Sequence, residues 1–395
     1  MKITDIIITE VSGQFPLPAD GPEERNIHPI DAHPELAEKV FAKPLAAVGQ
    51  EKISCRQFLL EVRTDDEITG LFGPVDAPLV SILRGEIRGF VLGLDPLEIE
   101  KIRDALLRWN RHSHTGYFMM AMSALDCALW DLKGKVAGVP VYHLLSEHRR
   151  ETVPAYASML GFSVEPEAVE KRAREYQALG YTAQKWFFRW GPVHGEEGIA
   201  KNVEMVRALR QALGEDAPFM LDAFHSWDVP YAVEVGRRIA PFRPAWLEEP
   251  VSSDDIRGLR EIREKTGIPI AVGEHTYNHW QVEALLEAGA ADIIQTDPDW
   301  CGGITGLLKI AEICAARNAP LFPHGHSLHP ALHVAAALPE SVLPQVEFLI
   351  HHQHTKQRFL KGYLEPHSGQ IRLPDTSGLG IELDPAKVQT RSEVQ

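Results

Sequence analysis

The sequence has 395 residues, 44% of them hydrophobic and 24% charged, with a formal net charge of −15 at pH 7. This composition describes a globular protein with a large buried core, and the acidic balance argues against a nucleic-acid-binding surface. No apolar run approaches the roughly 18–20 residues of a membrane span, and the charged stretch Met1–Asp5 does not fit a signal peptide. The four cysteines lack metal-type spacing, so we predict reduced thiols and a cytoplasmic protein.

The chain up to residue 110 predicts an α+β unit that precedes any barrel repeat. Residues 2–11 alternate weakly and predict a strand, whereas residues 12–50 show no period and predict a long loop. Residues 58–71 carry the alternation and the central turn of a β-hairpin. Asp95-Pro96 predicts the start of a helix, with an N-cap residue and a proline at the first helical position.

From Tyr117 the sequence predicts one long helix with a broad apolar face. Gly138 and Pro140 predict its end. Beyond this helix, residues 153–157 and 182–187 predict the first two strands of a barrel.

Six further apolar runs each end in one acidic residue or one histidine. These polar residues are, in chain order, Asp222, Glu248, Glu274, Asp297, His324 and Glu347. They lie about 25 residues apart, and a parallel strand with its loops and covering helix needs roughly 20–30 residues. In a β/α barrel the carboxyl ends of the strands form the active-site rim. The pattern therefore predicts such a barrel, with a carboxylate metal site followed by groups for proton transfer.

The long helix and several loops resemble the enolase superfamily, in its mandelate racemase-like branch. The stretch Ala121–Lys135 matches the helical signature of that branch, although Ser146 stands where a glycine is usual. Within the branch, the loop His28–His33 matches the HxIDxH loop of the rhamnonate dehydratase family. Four other motifs also match that family: Trp190-Gly191-Pro192, Gly273-Glu274-His275, Trp300-Cys301-Gly302-Gly303 and Pro323-His324-Gly325. Residues 187–189 and 326–329 depart from it.

The resemblance implies a fold and a division into domains. The expected fold is α/β, a modified (β/α)7β TIM-like barrel with an α+β capping domain built from the N-terminus and the C-terminal tail. We place the capping domain at residues 1–125, with residues 360–395 returning to it. The barrel, which is the catalytic domain, is placed at residues 126–359.

Asp222, Glu248 and Glu274 are the predicted ligands of a Mg²⁺ ion. Mg²⁺ prefers oxygen ligands and keeps positions open for water or substrate, and three carboxylates at adjacent strand ends provide such a half-shell. In the family the equivalent residues bind Mg²⁺. The alternative for any single acid is a helix cap or a solvated loop charge. Glu249 is interpreted as a residue that supports the metal ligands without binding the ion, or as a helix cap.

His324 is the predicted general base, oriented and made more basic by Asp297. The resemblance makes Glu347 an active-site acid that contacts the substrate or the leaving hydroxyl; the alternative is a surface or capping glutamate. Lys185 could neutralise the substrate carboxylate or the enediolate, with a solvated lysine as the alternative. Racemases of this branch carry a second lysine two residues further on, where this sequence has Phe187.

Four residues are predicted to contact the substrate. These are His28, His33, His275 and Trp300. The two histidines of the 28–33 loop could reach over the barrel mouth as a lid. The run of histidines at 351, 352 and 354 is interpreted as a loop rather than a metal motif, and the pair His324 and His326 differs from the HxH of zinc hydrolases, which belongs to the first strand of such barrels.

The predicted function is a Mg²⁺-dependent acid-sugar dehydratase, a hydro-lyase that converts a 2,3-dihydroxy acid into a 2-keto-3-deoxy acid. One rival is a racemase or epimerase of a 2-hydroxy acid on the same scaffold, which Phe187 disfavours. The other is a non-catalytic sugar-acid-binding protein, which the complete set of polar residues disfavours. We expect a small-molecule acid-sugar substrate, no nucleic-acid or membrane partner, and a homo-oligomer, since homo-oligomers are common in the family.

Overall fold

The computed structural model of the chain describes residues 1–16, 21–41 and 52–394. Its strands are β1 (Ile3–Pro16), β2 (Lys52–Thr64), β3 (Thr69–Val75), β4 (Thr152–Ser158), β5 (Gln184–Phe187), β6 (Phe219–Asp222), β7 (Trp246–Glu248), β8 (Ile270–Val272), β9 (Ile293–Ile294), β10 (Val346–Leu349), β11 (Gln370–Arg372) and β12 (Thr390–Glu393). Its helices are α1 (Pro34–Val40), α2 (Ala77–Ile82), α3 (Arg88–Val91), α4 (Ile99–Trp109), α5 (Gly116–Ala137), α6 (Val141–Leu145), α7 (Pro166–Ala178), α8 (Gly195–Leu213), α9 (Val229–Ile239), α10 (Ile256–Thr266), α11 (His279–Glu287), α12 (Gly303–Arg317), α13 (Leu328–Ala337) and α14 (Ile350–Lys356).

A four-stranded antiparallel sheet forms the capping part, in the order β12-β1-β2-β3. The predicted hairpin is confirmed as β2 and β3. The predicted loop over residues 12–50 is wrong at its start, because β1 continues to Pro16 and pairs there with Lys52 of β2. Residues 29–32 of that stretch form a 3-10 turn that leads into α1, and residues 17–20 and 42–50 lie outside the described residues.

One helix of the capping part begins later than predicted, and another ends where predicted. Helix α4 begins at Ile99, not directly after Asp95, because Asp95 closes a separate turn. Its carboxylate accepts a hydrogen bond from the backbone N–H of Leu97, and its carbonyl accepts one from that of Glu98. Helix α5 ends as predicted at Gly138, whose φ of 70° is the left-handed conformation that favours glycine. The predicted domain boundary between residues 125 and 126 falls inside α5 and stays a prediction.

The second sheet is a parallel barrel, in the order β10-β4-β5-β6-β7-β8-β9. Between β9 and β10 the chain contributes one more strand position. Leu321 forms a single parallel bridge with Ile294, and its amide donates to the carbonyl of Val342 at 2.8 Å. Residues 152–349, all of which the structure describes, thus contain eight strand positions: β4 to β9, the position of Leu321, and β10. In chain order, one of the helices α7 to α13 follows each of the first seven positions. The predicted modified TIM-like barrel is confirmed.

The C-terminal tail divides between the two parts of the molecule. Strand β12 returns to the cap and pairs with β1. Strand β11 instead pairs antiparallel with residues 152–154 of β4, so the prediction that this stretch returns to the cap is wrong. The physical reason is that the parallel neighbours β5 and β10 pair only with residues 155–158 of β4. The first residues of β4 therefore have backbone groups free for β11.

A layer of side chains closes the inside of the barrel beneath the strand ends. Its members come from successive strand positions and form a separate buried cluster: Tyr156, Ala183, Met220, Trp246, Ala271 and Ile293. The residues between them face outward and join the larger core against the helices. The four cysteines are free, and three of them are buried. Among the described residues, no helix is both long and apolar enough to cross a membrane.

Candidate active site

Three carboxylates reach the inside of the barrel at the ends of β6, β7 and β8. Alternate residues of a strand face the same side, so Asp222 shares the inward side with Met220, and Glu248 shares it with Trp246. Asp222 and Glu248 are direct partners in the parallel register. One carboxylate oxygen from each of Asp222, Glu248 and Glu274 lies within 4.8 Å of the other two, and all three residues are buried. The structure thus brings the predicted metal ligands together.

The charge of this carboxylate cluster suits a bound cation. Oδ2 of Asp222 is buried and accepts no hydrogen bond from the part of the chain that the structure describes. Burial and the charge of Glu248 raise the pKa of Asp222 well above its ordinary value. Burial also raises the pKa of Glu248, against the opposing effect of Lys185. A divalent cation would relieve this repulsion, and carboxylate oxygens are the ligands that Mg²⁺ prefers. The donor set therefore fits Mg²⁺.

Lys185 extends from β5 into the centre of the carboxylates. Its Nζ lies 2.7 Å from Glu248 Oε1, 2.9 Å from Glu347 Oε1 and 3.7 Å from Asp222 Oδ2. Burial lowers the pKa of Lys185, but the charges of Glu248 and Glu347 outweigh burial and hold this pKa well above its ordinary value. Because the side chain is only 1% exposed, the alternative of a solvated lysine is wrong.

His324 and Asp297 form a hydrogen-bonded pair at the barrel mouth. Nδ1 of His324 lies 3.0 Å from Oδ2 of Asp297. Nε2 therefore faces the carboxylate cluster, 3.5 Å from Oε1 of Glu274. Burial lowers the pKa of His324, but the charge of Glu274 and the hydrogen bond to Asp297 raise it to about 10. A divalent cation on Glu274 would offset part of this rise and favour the neutral imidazole that can act as a base.

Glu347 lies on β10 and is fully buried. Its Oε2 accepts a hydrogen bond from the backbone N–H of Gly325 at 3.0 Å, and its Oε1 faces Lys185. Burial raises the pKa of Glu347, but the charges of Lys185 and His324 outweigh burial and lower it. The residue is an ionised carboxylate inside the site, so the alternative of a surface or capping glutamate is wrong.

Trp300 lies beside three imidazole rings at the mouth of the barrel. Its ring stacks on that of His324, with centroids 5.1 Å apart and planes inclined by 26°. Its centroid is also 4.9 Å from that of His326 and 6.3 Å from that of His275. The indole Nε1 is buried and donates no hydrogen bond to any described residue. Two of the predicted substrate contacts thus lie beside the predicted base.

The predicted lid loop reaches the site through one of its two histidines. The ring of His28 packs between Phe41 and Phe224, with centroid distances of 4.7 and 4.8 Å. The ring of Phe224 in turn lies 5.4 Å from that of His275. His33 is exposed at the start of α1. Contact of either histidine with the substrate stays a prediction.

Sequence reasoning missed several groups beside the site. Asp299 binds His326, with Oδ2 2.7 Å from Nδ1. His324 and His326 therefore each bind a different aspartate, unlike the two histidines of a shared zinc site.

The run of histidines from 351 to 354 lies on α14, so its interpretation as a loop is wrong.

His225 was also not assigned a role, whereas Glu249 was interpreted as a residue that supports the metal ligands or caps a helix. The carboxylate of Glu249 lies 2.7 Å from Nδ1 of His275, and His225 contacts the same carboxylate. The sequence held a signal for these contacts, because Glu249 and His275 each follow a predicted Mg²⁺ ligand directly. His225 lies three residues beyond Asp222.

Glu248→Gln is expected to weaken Mg²⁺ binding by more than the roughly 10–100-fold typical of changes to outer-shell partners. The reason is that a neutral amide is a poorer ligand for a hard cation than a carboxylate is. Calorimetric titration of the metal-free protein measures the affinity. Glu249→Gln is the matched control and is expected to retain Mg²⁺ binding. Equal losses in both variants would contradict the assignment of Glu248 alone as the ligand.

Comparison with known proteins gives consistent matches along the chain. Residues 39–146 match the family described as mandelate racemase/muconate lactonizing enzyme, N-terminal domain. Residues 168–387 match the family described as enolase C-terminal domain-like. Together the two matches include every predicted catalytic residue and metal ligand.

Three relatives illustrate the similarity of the whole chain. An L-rhamnonate dehydratase of Saccharopolyspora erythraea is 31% identical, over 98% of this chain and 97% of its own. A D-galactarolactone cycloisomerase of Agrobacterium fabrum is 32% identical, over 82% of this chain and 88% of its own. The crystal structure of a rhamnonate dehydratase from Gibberella zeae complexed with Mg has a TM-score of 0.82 and 26% identity, over 98% of this chain and 96% of that one.

Proposed function

Because this chain belongs to the mandelate racemase/muconate lactonizing enzyme family of the enolase superfamily, we propose that it is a Mg²⁺-dependent acid-sugar dehydratase. In this proposal the enzyme is a hydro-lyase that removes the 3-hydroxyl of a 2,3-dihydroxy acid as water and gives a 2-keto-3-deoxy acid. One observation carries the proposal: three buried carboxylates face the His324–Asp297 pair, with Lys185 between the carboxylates. The similarity to two sugar-acid enzymes supports the substrate class.

The proposed reaction begins with removal of the proton α to the substrate carboxylate. Nε2 of His324 is the base, since Nδ1 is held by Asp297. Asp222, Glu248 and Glu274 would hold Mg²⁺, which would supply Lewis-acid stabilisation of the negative charge that develops on the substrate carboxylate.

The ammonium of Lys185 adds positive charge on the same side of the pocket. Protonated His324 then returns its proton to the 3-hydroxyl as the C3–O bond breaks. The α-proton thus leaves in the released water and an enol remains. The enol becomes the 2-keto-3-deoxy acid when C3 gains a proton from solvent and the enol hydroxyl gives one back, which balances the reaction.

A cycloisomerase of a sugar lactone is a second candidate, because one of the relatives is a D-galactarolactone cycloisomerase and is 32% identical to this chain. Both reactions need the same α-proton removal and differ in the oxygen that leaves. A racemase is disfavoured because buried Phe187 occupies the position where racemases of this branch carry a second lysine.

A screen of mono- and diacid sugars and their lactones tests the proposed function. With Mg²⁺ present, we expect 2-keto acid formation from at least one 2,3-dihydroxy acid, and none after EDTA treatment. Ring opening of a lactone without dehydration of any acid would favour the cycloisomerase. Racemisation at C2 alone would contradict both.

His28→Ala is expected to raise KM by about 2–10-fold, the worth of one neutral hydrogen bond of about 0.5–1.5 kcal/mol. A residue that grips a distal hydroxyl equally in ground and transition states leaves kcat almost unchanged. Steady-state kinetics on the substrate found in the screen measure both constants. His33→Ala serves for comparison, and its effect should be smaller because His33 is exposed. A large loss of kcat at unchanged KM would assign His28 to proton transfer instead.

We also propose a homo-oligomer and a cytoplasmic location, as the sequence predicts. Both rest on the resemblance and on composition. Light scattering of the purified protein tests the first, and cell fractionation tests the second.

A further inference from the structure

A second cluster of potential metal ligands lies beside the proposed Mg²⁺ site. It consists of His225, Glu249 and His275, and one ligand atom of each lies within 4.8 Å of the others. Nδ1 of His275 lies 2.7 Å from Oε2 of Glu249, and Nε2 of His225 contacts the same oxygen. Two imidazole nitrogens and one carboxylate oxygen thus converge on one point, and none of them belongs to a proposed Mg²⁺ ligand.

The backbone holds this cluster in place. His225 and Glu249 have φ angles of 57° and 38°, in the left-handed region that residues other than glycine seldom adopt. The second oxygen of Glu249, Oε1, accepts hydrogen bonds from the backbone N–H groups of Gly273 and His275 at 3.3 and 3.4 Å. Hydrogen bonds of this kind orient the carboxylate ligands of metal sites.

Two members of the cluster are largely shielded from solvent. Nε2 of His225 is buried and faces Oε2 of Glu249. Glu249 is only 1% exposed. A buried carboxylate oxygen with two imidazole nitrogens beside it suits coordination to a cation.

We propose that His225, Glu249 and His275 form a second metal site, for a divalent transition metal ion such as Zn²⁺ or Co²⁺. Imidazole nitrogens suit these ions, whereas Mg²⁺ prefers oxygen ligands. The side chain of His275 is 32% exposed, which leaves a path for the ion from solvent. The site is distinct from the proposed Mg²⁺ ligands and does not depend on the dehydratase activity.

A proton between His275 and Glu249 is the competing arrangement. Burial lowers the pKa of His275, but the charge of Glu249 outweighs burial and raises this pKa to about 9. A protonated His275 would form an ion pair with Glu249 without a metal. The two arrangements differ in their response to added metal, because only coordination would retain an ion whose binding needs both His225 and His275.

Counting bound Co²⁺ in the presence of excess Mg²⁺ tests the proposal. The full chain is stripped with EDTA and dialysed against both ions, and bound cobalt is measured by elemental analysis and by its visible absorption. We expect the wild type to retain one Co²⁺ per chain. His225→Ala and His275→Ala are each expected to weaken Co²⁺ binding at least about tenfold. Retained Mg²⁺ binding shows that both variants are folded.

Two further variants separate this site from its neighbours. Glu248→Gln alters the proposed Mg²⁺ site, and His326→Ala alters the nearby group of Asp297, Asp299 and His326. Both are expected to keep the Co²⁺. Cobalt that is lost in Glu248→Gln or His326→Ala but kept in His225→Ala would place the ion in another cluster. No retained cobalt in the wild type would leave the protonated pair. Each of these results overturns the proposal.

Discussion

His324→Asn is expected to bind Mg²⁺ and substrate as the wild type does and to lose dehydration by about 10²–10⁴-fold, the usual worth of general acid–base catalysis. In the proposed reaction this one imidazole both removes the α-proton and returns it to the leaving hydroxyl. Asparagine can still donate to Asp297 but has no basic nitrogen to direct at the substrate. The loss should therefore appear in kcat, with KM nearly unchanged.

The measurement combines kinetics with NMR in ²H₂O. Calorimetry of His324→Asn with Mg²⁺ shows whether the metal site is intact, and His326→Asn is the matched control, since its imidazole binds Asp299. Asp297→Asn is a poorer test, because Oδ2 of Asp297 also accepts the backbone N–H groups of His326 and Ser327, which an amide nitrogen would oppose. Inversion at C2 of substrate recovered from the wild type, or comparable dehydration by His324→Asn, would contradict the one-base reaction.

Lys185→Met is expected to lower the free energy of unfolding of the metal-free protein by about 3–5 kcal/mol, as removal of one partner of a buried ion pair generally does. Methionine fills similar space but leaves the carboxylates of Glu248, Glu347 and Asp222 without their common positive charge. Added Mg²⁺ should reduce the difference from the wild type, because the cation supplies charge to two of the same carboxylates and binds only the folded state.

Urea unfolding in EDTA and in Mg²⁺ measures both effects. Lys201→Met is the matched control: Lys201 also lies 2.7 Å from a glutamate oxygen, that of Glu197, but the pair is at the surface. Lys201→Met is expected to lose no more than about 1 kcal/mol of unfolding free energy, and this loss should not change when Mg²⁺ is added. Equal losses of unfolding free energy in the two lysine variants would contradict the burial of the charges around Lys185.

The arrangement of the predicted metal and proton-transfer residues followed from sequence because two regular features determine it. The alternation of side chains along a strand places Asp222 and Glu248 inward. The parallel register then brings successive strand ends to one rim, so spacing alone predicted that His324 and Glu347 would join them.

The contacts around Glu249 and His225 could not be predicted in the same way. They depend on left-handed backbone angles in the turns after β6 and β7, which no sequence period encodes. Sequence also cannot show that Trp300 stacks on His324, since that contact depends on how two loops lie against each other. The start of α4 was missed for a related reason. A capping aspartate followed by proline fits an isolated turn as well as a helix start.

The pairing of β12 with β1 has a consequence for folding kinetics. Residues 9–12 pair with residues 390–393, so this contact closes a loop of nearly the whole chain. Each doubling of loop length adds only about 0.6 kcal/mol to the entropy of closure, so stability suffers little. The folding rate is affected more strongly, because contacts between residues far apart in sequence slow folding. During synthesis one edge of β1 therefore stays unpaired until β12 has left the ribosome, and in that interval it is open to pairing with another chain.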